Sequence, residues 1–488
     1  MTKRFLASLL SFIWLTLAAS LAFGQTPTLV QSVTTSTNPN GIGDSGNTYK
    51  ITLPNAVGSG NCLILQVSIN STATVSTISD TINGSWSTTA AATVVDGSRL
   101  SVFLFPNSAS GVDTLTFTLT AADSGVTFRF MEWNNIATTS PANGTATASN
   151  ISGTSLATGS FTPGANAAGN LILDFCDADG GASHNPTGWT AGTSFTLHDA
   201  DISWISNQGF PKASQYFFQS TPAAINPAIT IAGDALDTFN CVAIALKVAS
   251  AGTAPGNGIR ILKIIHSANS SAPTTPFKMQ FPAAGNLRVV DTTTSQGGWD
   301  ITSVTDSNSN TYTAELGGSA AGPQLFFAQG QSANQNMTMN VNFSGAAPGG
   351  GVVLKFYDII NAANSGQPGN VAAANAATGT TVNIPTITPI QANDLLIGAL
   401  TLGNGPNTSI TAPTGVIWDN VPYTGETDGG FFNFGDGWAH FYNTSTASET
   451  WTWTTANAGA NALVVEFKTA AAGTSCPPPS IALLGVGC

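Results

Sequence analysis

Val75-Ser-Thr-Ile-Ser-Asp80-Thr-Ile-Asn-Gly84-Ser-Trp86 and Ile301-Thr-Ser-Val-Thr-Asp306-Ser-Asn-Ser-Asn310-Thr-Tyr312 are two versions of one turn. In each, an alternating run ends at an aspartate, passes through turn residues and resumes at an aromatic. Phe128-Arg-Phe-Met-Glu132-Trp likewise returns as Leu354-Lys-Phe-Tyr-Asp358-Ile. Both acids move by the same step, 306 − 80 = 226 and 358 − 132 = 226. Residues 26–249 and 258–470 therefore read as one design written twice.

Around these turns the pattern has period two. Leu115, Phe117 and Leu119 alternate with threonines, and Met337, Met339, Val341 and Phe343 with Thr338, Asn340 and Asn342. Such strands set one face on a core and the other in water. The unbroken apolar runs Cys62–Val67, Leu171–Phe175, Val242–Leu246, Asp394–Leu400 and Ala462–Phe467 predict central strands. Gly, Asn, Asp and Pro clusters separate them, Asn83-Gly84 marks a tight primed turn, and no long segment has capped helical periodicity. The expected fold is all-β, two tandem antiparallel β-sandwich domains of jelly-roll-like form over 25–249 and 258–470. Residues 250–257 read as a flexible linker that imposes no fixed orientation, and 471–488 as a disordered tail.

Residues 1–24 read as a signal peptide: Lys3 and Arg4, the apolar Phe5–Leu17, then small residues around Ala22-Phe23-Gly24. This predicts an exported chain, secreted or at the cell surface, with no spanning helix after cleavage. Without Lys3 and Arg4, 11 basic and 25 acidic residues remain, a net charge of 11 − 25 = −14. That balance excludes nucleic acid as a partner, because phosphate backbones need clustered Lys and Arg. Of five cysteines, Cys176 and Cys241 are the expected bridge, since one ends a strand and the other begins one; small buried hydrophobes are the alternative. A Cys476–Cys488 loop is sterically open, and Cys62 is left over.

Val304-Thr-Asp306-Ser-Asn-Ser-Asn310-Thr-Tyr312 resembles a turn motif of exported bacterial β-sandwich modules that have no established activity. As in those modules, an aromatic strand (Leu325–Phe327), an alternating strand (Met337–Phe343), an acid-bearing strand end (Asp358) and a closing strand (Ala462–Lys468) follow. The first half departs from the motif with Ile82-Asn83-Gly84 and Trp86. The resemblance implies a secreted β-sandwich module and transfers no catalytic residue.

Three sets of residues carry candidate chemistry. Asp80 with Glu132, and Asp306 with Asp358, are carboxylate pairs for acid/base work, against the alternative that each caps its own turn. Asp177 and Asp179, beside Asp174 and His184, form an acidic loop suited to structural calcium but lacking the full spacing of a calcium loop. Trp189, Trp204, Trp418, Tyr423 and Trp438 lie in Gly/Asn/Asp-rich stretches where aromatic faces stack on sugars, whereas Trp451 and Trp453 align with Ile229 and Ile231 and read as core. No His-Glu-x-x-His or Gly-x-Ser-x-Gly occurs, and nothing nominates a Ser/His/Asp triad. The function expected is non-catalytic: binding of polysaccharide or a surface partner, or structure. The alternatives are a glycan-active hydrolase or lyase with paired carboxylates, and a subunit of a matrix or surface layer. No cofactor beyond structural calcium is implied.

Overall fold

The structure, a computed structural model, describes residues 26–36, 47–123, 125–178, 186–201, 212–233, 238–249, 251–269, 276–294, 301–316, 323–344, 352–377, 380–384, 386–402, 410–411, 413–419, 436–455 and 460–471. All regular structure among them is β. One sheet of ten strands forms the middle of the molecule. From edge to edge it runs β22 (Thr313–Leu316), β23 (Gln324–Gln329), β20 (Leu287–Thr294), β25 (Val352–Ile360) and β18 (Arg260–Asn269). It continues through β1 (Leu29–Ser36), β9 (Val126–Trp133), β3 (Cys62–Ile69), β7 (Ser98–Phe105) and β6 (Ala92–Asp96).

The first five strands belong to the second half and the last five to the first. They join where β1 pairs with β18, Val33 opposite Ile264, and this contact is parallel while the other pairings are antiparallel. The sandwich halves thus share a layer. The linker reading is corrected accordingly: Thr253 N–H donates to Asn61 Oδ1 at 2.9 Å and Thr253 Oγ1 donates to the Ser59 carbonyl at 3.0 Å, so this segment is tied to the first half.

On one face lies an eight-stranded sheet: β10 (Ala142–Ser152), β17 (Thr238–Lys247), β12 (Asn170–Ala178), β15 (Lys212–Gln219), β14 (Thr196–Asp201), β19 (Phe277–Ala283), β24 (Asn334–Phe343) and β21 (Ile301–Asp306). The opposite face carries two sheets. One is β2 (Thr48–Thr52), β8 (Thr114–Leu119), β4 (Val75–Asp80) and β5 (Gly84–Ser85). The other is β26 (Val371–Ala377), β33 (Ala460–Phe467), β28 (Leu395–Leu402), β31 (Asp436–Tyr442) and β30 (Ile417–Trp418). Small outer sheets, β11 (Ser155–Ala157), β16 (Ala228–Ala232), β13 (Gly188–Thr190) and β27 (Thr381–Asn383), β32 (Thr452–Thr455), β29 (Ile410–Thr411), complete the strand set.

The halves use opposite faces of the shared sheet. Leu65, Phe128 and Phe130 face the first half's turn-bearing strands, in a core with Ile51 and Phe117. The corresponding Val290, Leu354 and Phe356 face β19, β24 and β21 in a separate core with Met279 and Met339. Parallel pairing of equivalent strands requires this. The repeats are related by a two-fold axis along the strands, which preserves strand direction and exchanges the faces. Each buried Leu, Ile or Phe here contributes about 1.5–3 kcal/mol, so a layer shared by both halves couples their stabilities.

Cys176 and Cys241, opposite one another on β12 and β17, are disulfide-bonded. Cys62 is buried, and burial pushes its thiol up to about 12. Cys476 and Cys488 lie outside the described residues.

Candidate functional site

The turn that defines the repeat is built alike in both halves. Asp80 closes β4, and its carboxylate accepts from the N–H groups of Ile82 and Asn83, from Asn83 Nδ2 at 2.7 Å and from Trp86 Nε1 at 2.7 Å. Asp306 closes β21 and accepts from Asn308 N–H at 2.9 Å, from Asn310 and from the Tyr312 hydroxyl at 3.0 Å. Arg288 adds a guanidinium at 3.0 Å. Burial opposes ionisation of Asp306, but the Asn310, Tyr312 and Arg288 donors outweigh it and hold the carboxyl below its usual range. Trp86 and Tyr312 are the repeat's aromatics because each supplies a donor to the acid six residues before it.

The second acids also serve backbone. Glu132 is fully buried and accepts from Gln31 Nε2 at 2.6 Å, from Gly58 N–H at 2.8 Å and from Asn61. Asp358 accepts from Ala284 and Gly285 N–H, both at 2.9 Å. Burial raises both carboxyls. An acid that the sequence reading passed over, Asp113, is also fully buried. Burial, then the Asp80 charge and more weakly Glu132, push it up to about 7. Asp80, Asp113 and Glu132 therefore share one end of the first half, and each carboxylate is taken up by structural donors: Asp113 takes the Thr81 N–H and hydroxyl, in the same turn that Asp80 caps, and Glu132 the groups of Gln31, Gly58 and Asn61. In this geometry Asp80 and Asp306 cap their turns, while Glu132 and Asp358 fix neighbouring loop backbone.

The structure also assembles a charged cluster that sequence reasoning missed. Arg129, fully buried on β9, donates through Nε to both Asp199 oxygens at 2.8 Å and through Nη1 to Gln66 at 2.6 Å. Asp177 stands 3.8 Å from Nη1. Burial would raise Asp199, but the guanidinium overrides it and holds the carboxyl well below the usual range. Ser214 Oγ donates to Asp199 and lies 3.2 Å from His198 Nδ1. This trio has the atoms of a triad in the wrong order. The serine bridges acid and imidazole, Arg129 holds the acid, and burial lowers His198 to about 4. The adjacent His198-Asp199 was visible in sequence, but nothing local joined it to Arg129, 70 residues away.

Basic groups then tie the halves together. Lys263 donates to the His198 carbonyl and Arg260 to the Val30 carbonyl at 2.6 Å. Gln280 makes a reciprocal pair with the Trp189 backbone, each bond 2.9 Å. From the second half, His440 Nε2 meets the Pro54 carbonyl at 2.6 Å and the Tyr442 hydroxyl donates to Asn55 at 2.7 Å.

The aromatic platform is corrected as well. Trp189 is 1% exposed and Trp438 2%, the first on β13 of an outer sheet and packed with Ile229, Ile231 and Phe239, the second under Lys355, whose Nζ is 4.7 Å from the ring centre. Trp418 keeps partial exposure against Trp453, at 5.9 Å between ring centres. Trp451 and Trp453 are buried. Trp204, Tyr423, Asp179 and His184 lie outside the described residues. Asp174 and Asp177 do not share a site: Asp174 accepts from Thr158 and Gln215.

No family model and no curated protein matches the chain. Among solved structures, the major capsid protein P2 of bacteriophage PM2 is 10% identical over 46% of this chain and 97% of that one, with a TM-score of 0.16. Dimeric latent PorU from Porphyromonas gingivalis is 10% identical over 65% and 34%, at 0.13. The infectious bursal disease virus VP2 subviral particle is 9% identical over 95% and 84%, at 0.09. Likenesses at these scores carry no argument about this chain.

Proposed function

We propose that this chain is an exported, non-catalytic structural protein, a rigid β unit of a cell surface or extracellular matrix. One observation carries the reading: a single ten-stranded sheet passes through both halves, and the scarce charged groups cap turns and tie the halves together. A plate of this kind transmits load through hydrogen-bonded strands and needs no moving part. Export is supported by the basic and apolar start of the chain and by the Cys176–Cys241 bridge, which suits an oxidising compartment. Fractionation of the producing cell tests it. The chain is expected as an abundant surface or matrix component. Recovery from the cytoplasm alone, or glycan turnover by the purified chain that Glu132→Gln abolishes, overturns the reading.

Polysaccharide recognition is the second reading, favoured by partial exposure of Trp418 at a sheet edge. A glycan array probed with and without calcium is expected to show binding that Trp418→Ala removes. An unchanged signal in that variant rejects the site.

A further inference from the structure

We propose that copies of this chain join edge to edge through β10 and through β26, each edge meeting its own kind across a two-fold axis. The inference rests on the structural reading above and names the surface that such a unit would use. The two strands stand at opposite ends of the molecule. β10 packs over β6, the last strand of the central sheet in the first half. At the other end β33 lies over β23, with Phe467 and Phe327 ring centres 5.7 Å apart, and β26 is the strand beyond β33. The far side of that same sheet reaches Pro54 and Asn55, so β26 faces outward.

Both strands are paired on one side only, β10 with β17 and β26 with β33. Their ladders are regular over Thr145–Ala148 and over Val371–Ala374. Gly164 covers the start of β10 by bonding Asn143, but the outer backbone groups of the regular stretches meet no backbone partner among the described residues. Such a row of free N–H and C=O groups is a template for another strand, and proteins usually blunt it with charge or proline. Here bulges bound the regular stretches, but charge and proline are missing from them. Residues 133–173 and 359–393, which contain the two strands, hold no Asp, Glu, Lys or Arg. The edges of the central sheet, by contrast, each carry an acid, Asp96 on β6 and Glu315 on β22.

The charge balance points to a second copy as the occupant. Two chains of net charge −12 oppose like charges across most contacts, and these stretches let them approach without doing so. Exposed apolar groups stand near both strands. Val95 on β6 is 43% exposed, and Val371 on β26 is 41% exposed with Ile390 close by at 53%. Ile390 N–H and Asn370 N–H bond the same Glu466 carboxylate, which places Ile390 beside the start of β26. The chain already uses this kind of joint internally: β14 and β19, one from each half, fuse two sheets antiparallel through Ala200–Gln280 and Asp201–Met279. A two-fold axis across a free edge sets identical strands antiparallel and repeats that arrangement between molecules.

Sedimentation velocity of the purified full chain over a concentration series tests this, with Thr147→Lys on β10 and Val371→Lys on β26. Both side chains are exposed, so the variants keep the fold, and a lysine on an edge opposes pairing by charge. The wild type is expected to grow into chains, each single variant to stop at twice the monomer mass, and the double variant to stay monomeric. Undiminished growth of the double variant overturns the edges and leaves the structural reading standing. A wild type that stays monomeric at every concentration, including one whose edges take a foreign strand instead, overturns self-pairing; cell fractionation then judges the structural reading separately.

Discussion

Arg129 and Lys355 occupy matching places, 355 − 129 = 226 residues apart, and are accommodated in different ways. Opposite Arg129 on the neighbouring strand stands Gln66; opposite Lys355 stands Asp291. In the first half the cross-strand partner is neutral, and an ionised acid comes from another layer as Asp199. In the second half the acid is the cross-strand neighbour itself, and burial pushes it up to about 8 in spite of Lys355. Lys355 instead donates to the Asp419 carbonyl and lies over Trp438. Two matching stations thus both bury a cation but accommodate it differently. The geometry requires a satisfied polar group and does not prescribe a particular counter-ion.

The sharpest way to break this comparison is to remove the cations. Arg129→Met strands two buried carboxylates, and chemical denaturation should show a loss of about 3–5 kcal/mol. Lys355→Met removes a cation–π contact worth about 2 kcal/mol beside an acid that burial pushes up to about 8, so its loss should be clearly smaller. Equal losses would mean that the two stations work alike. Next comes the bridge present in one half only: Cys176→Ala with Cys241→Ala should cost about 3 kcal/mol. Because the halves share a sheet, the variant should still unfold in one transition. Two separated transitions would show the halves to be independent.

Tyr312→Phe should follow at about 1.5 kcal/mol, since it takes one donor from the charged Asp306 and leaves Asn310 and Arg288 in place. The most delicate test is pH. Asp199 is depressed when folded, so its stabilisation is present above the ordinary carboxylate range near 4 and is lost as pH falls through its folded value. Asp291 is raised when folded, so its contribution is full below that range and is lost as pH rises through about 8. Denaturation midpoints against pH should therefore lose part of the acid limb in Asp199→Asn and part of the alkaline limb in Asp291→Asn, other depressed and raised carboxyls keeping the rest. The same limb lost in both would refute the opposed signs.

Much of this was legible locally. The Asp80 and Asp306 turns, the alternation of Thr114–Leu119 and the core placement of Trp451 and Trp453 all depend on neighbours within one or two strands. What sequence could not show is contact set by layers. Trp189 and Trp438 have loop-like flanks in sequence, yet they lie on β13 and β31, one packed with Phe239 and the other under a buried lysine. The Arg129–Asp199 pair joins strands that lie in different sheets. The exchange of faces between the halves leaves no trace in periodicity, because alternation reads the same whichever side is inward.

The parallel contact of β1 with β18 has a consequence for how the chain comes to be. β1 has two neighbours, one 130 − 33 = 97 residues away and the other 264 − 33 = 231. A chain delivered from its N-terminus therefore carries an unfinished border until the second repeat has begun to arrive. During that interval the border strand offers the glutamine, serines and threonines of Leu29-Val-Gln-Ser-Val-Thr-Thr-Ser36 to water.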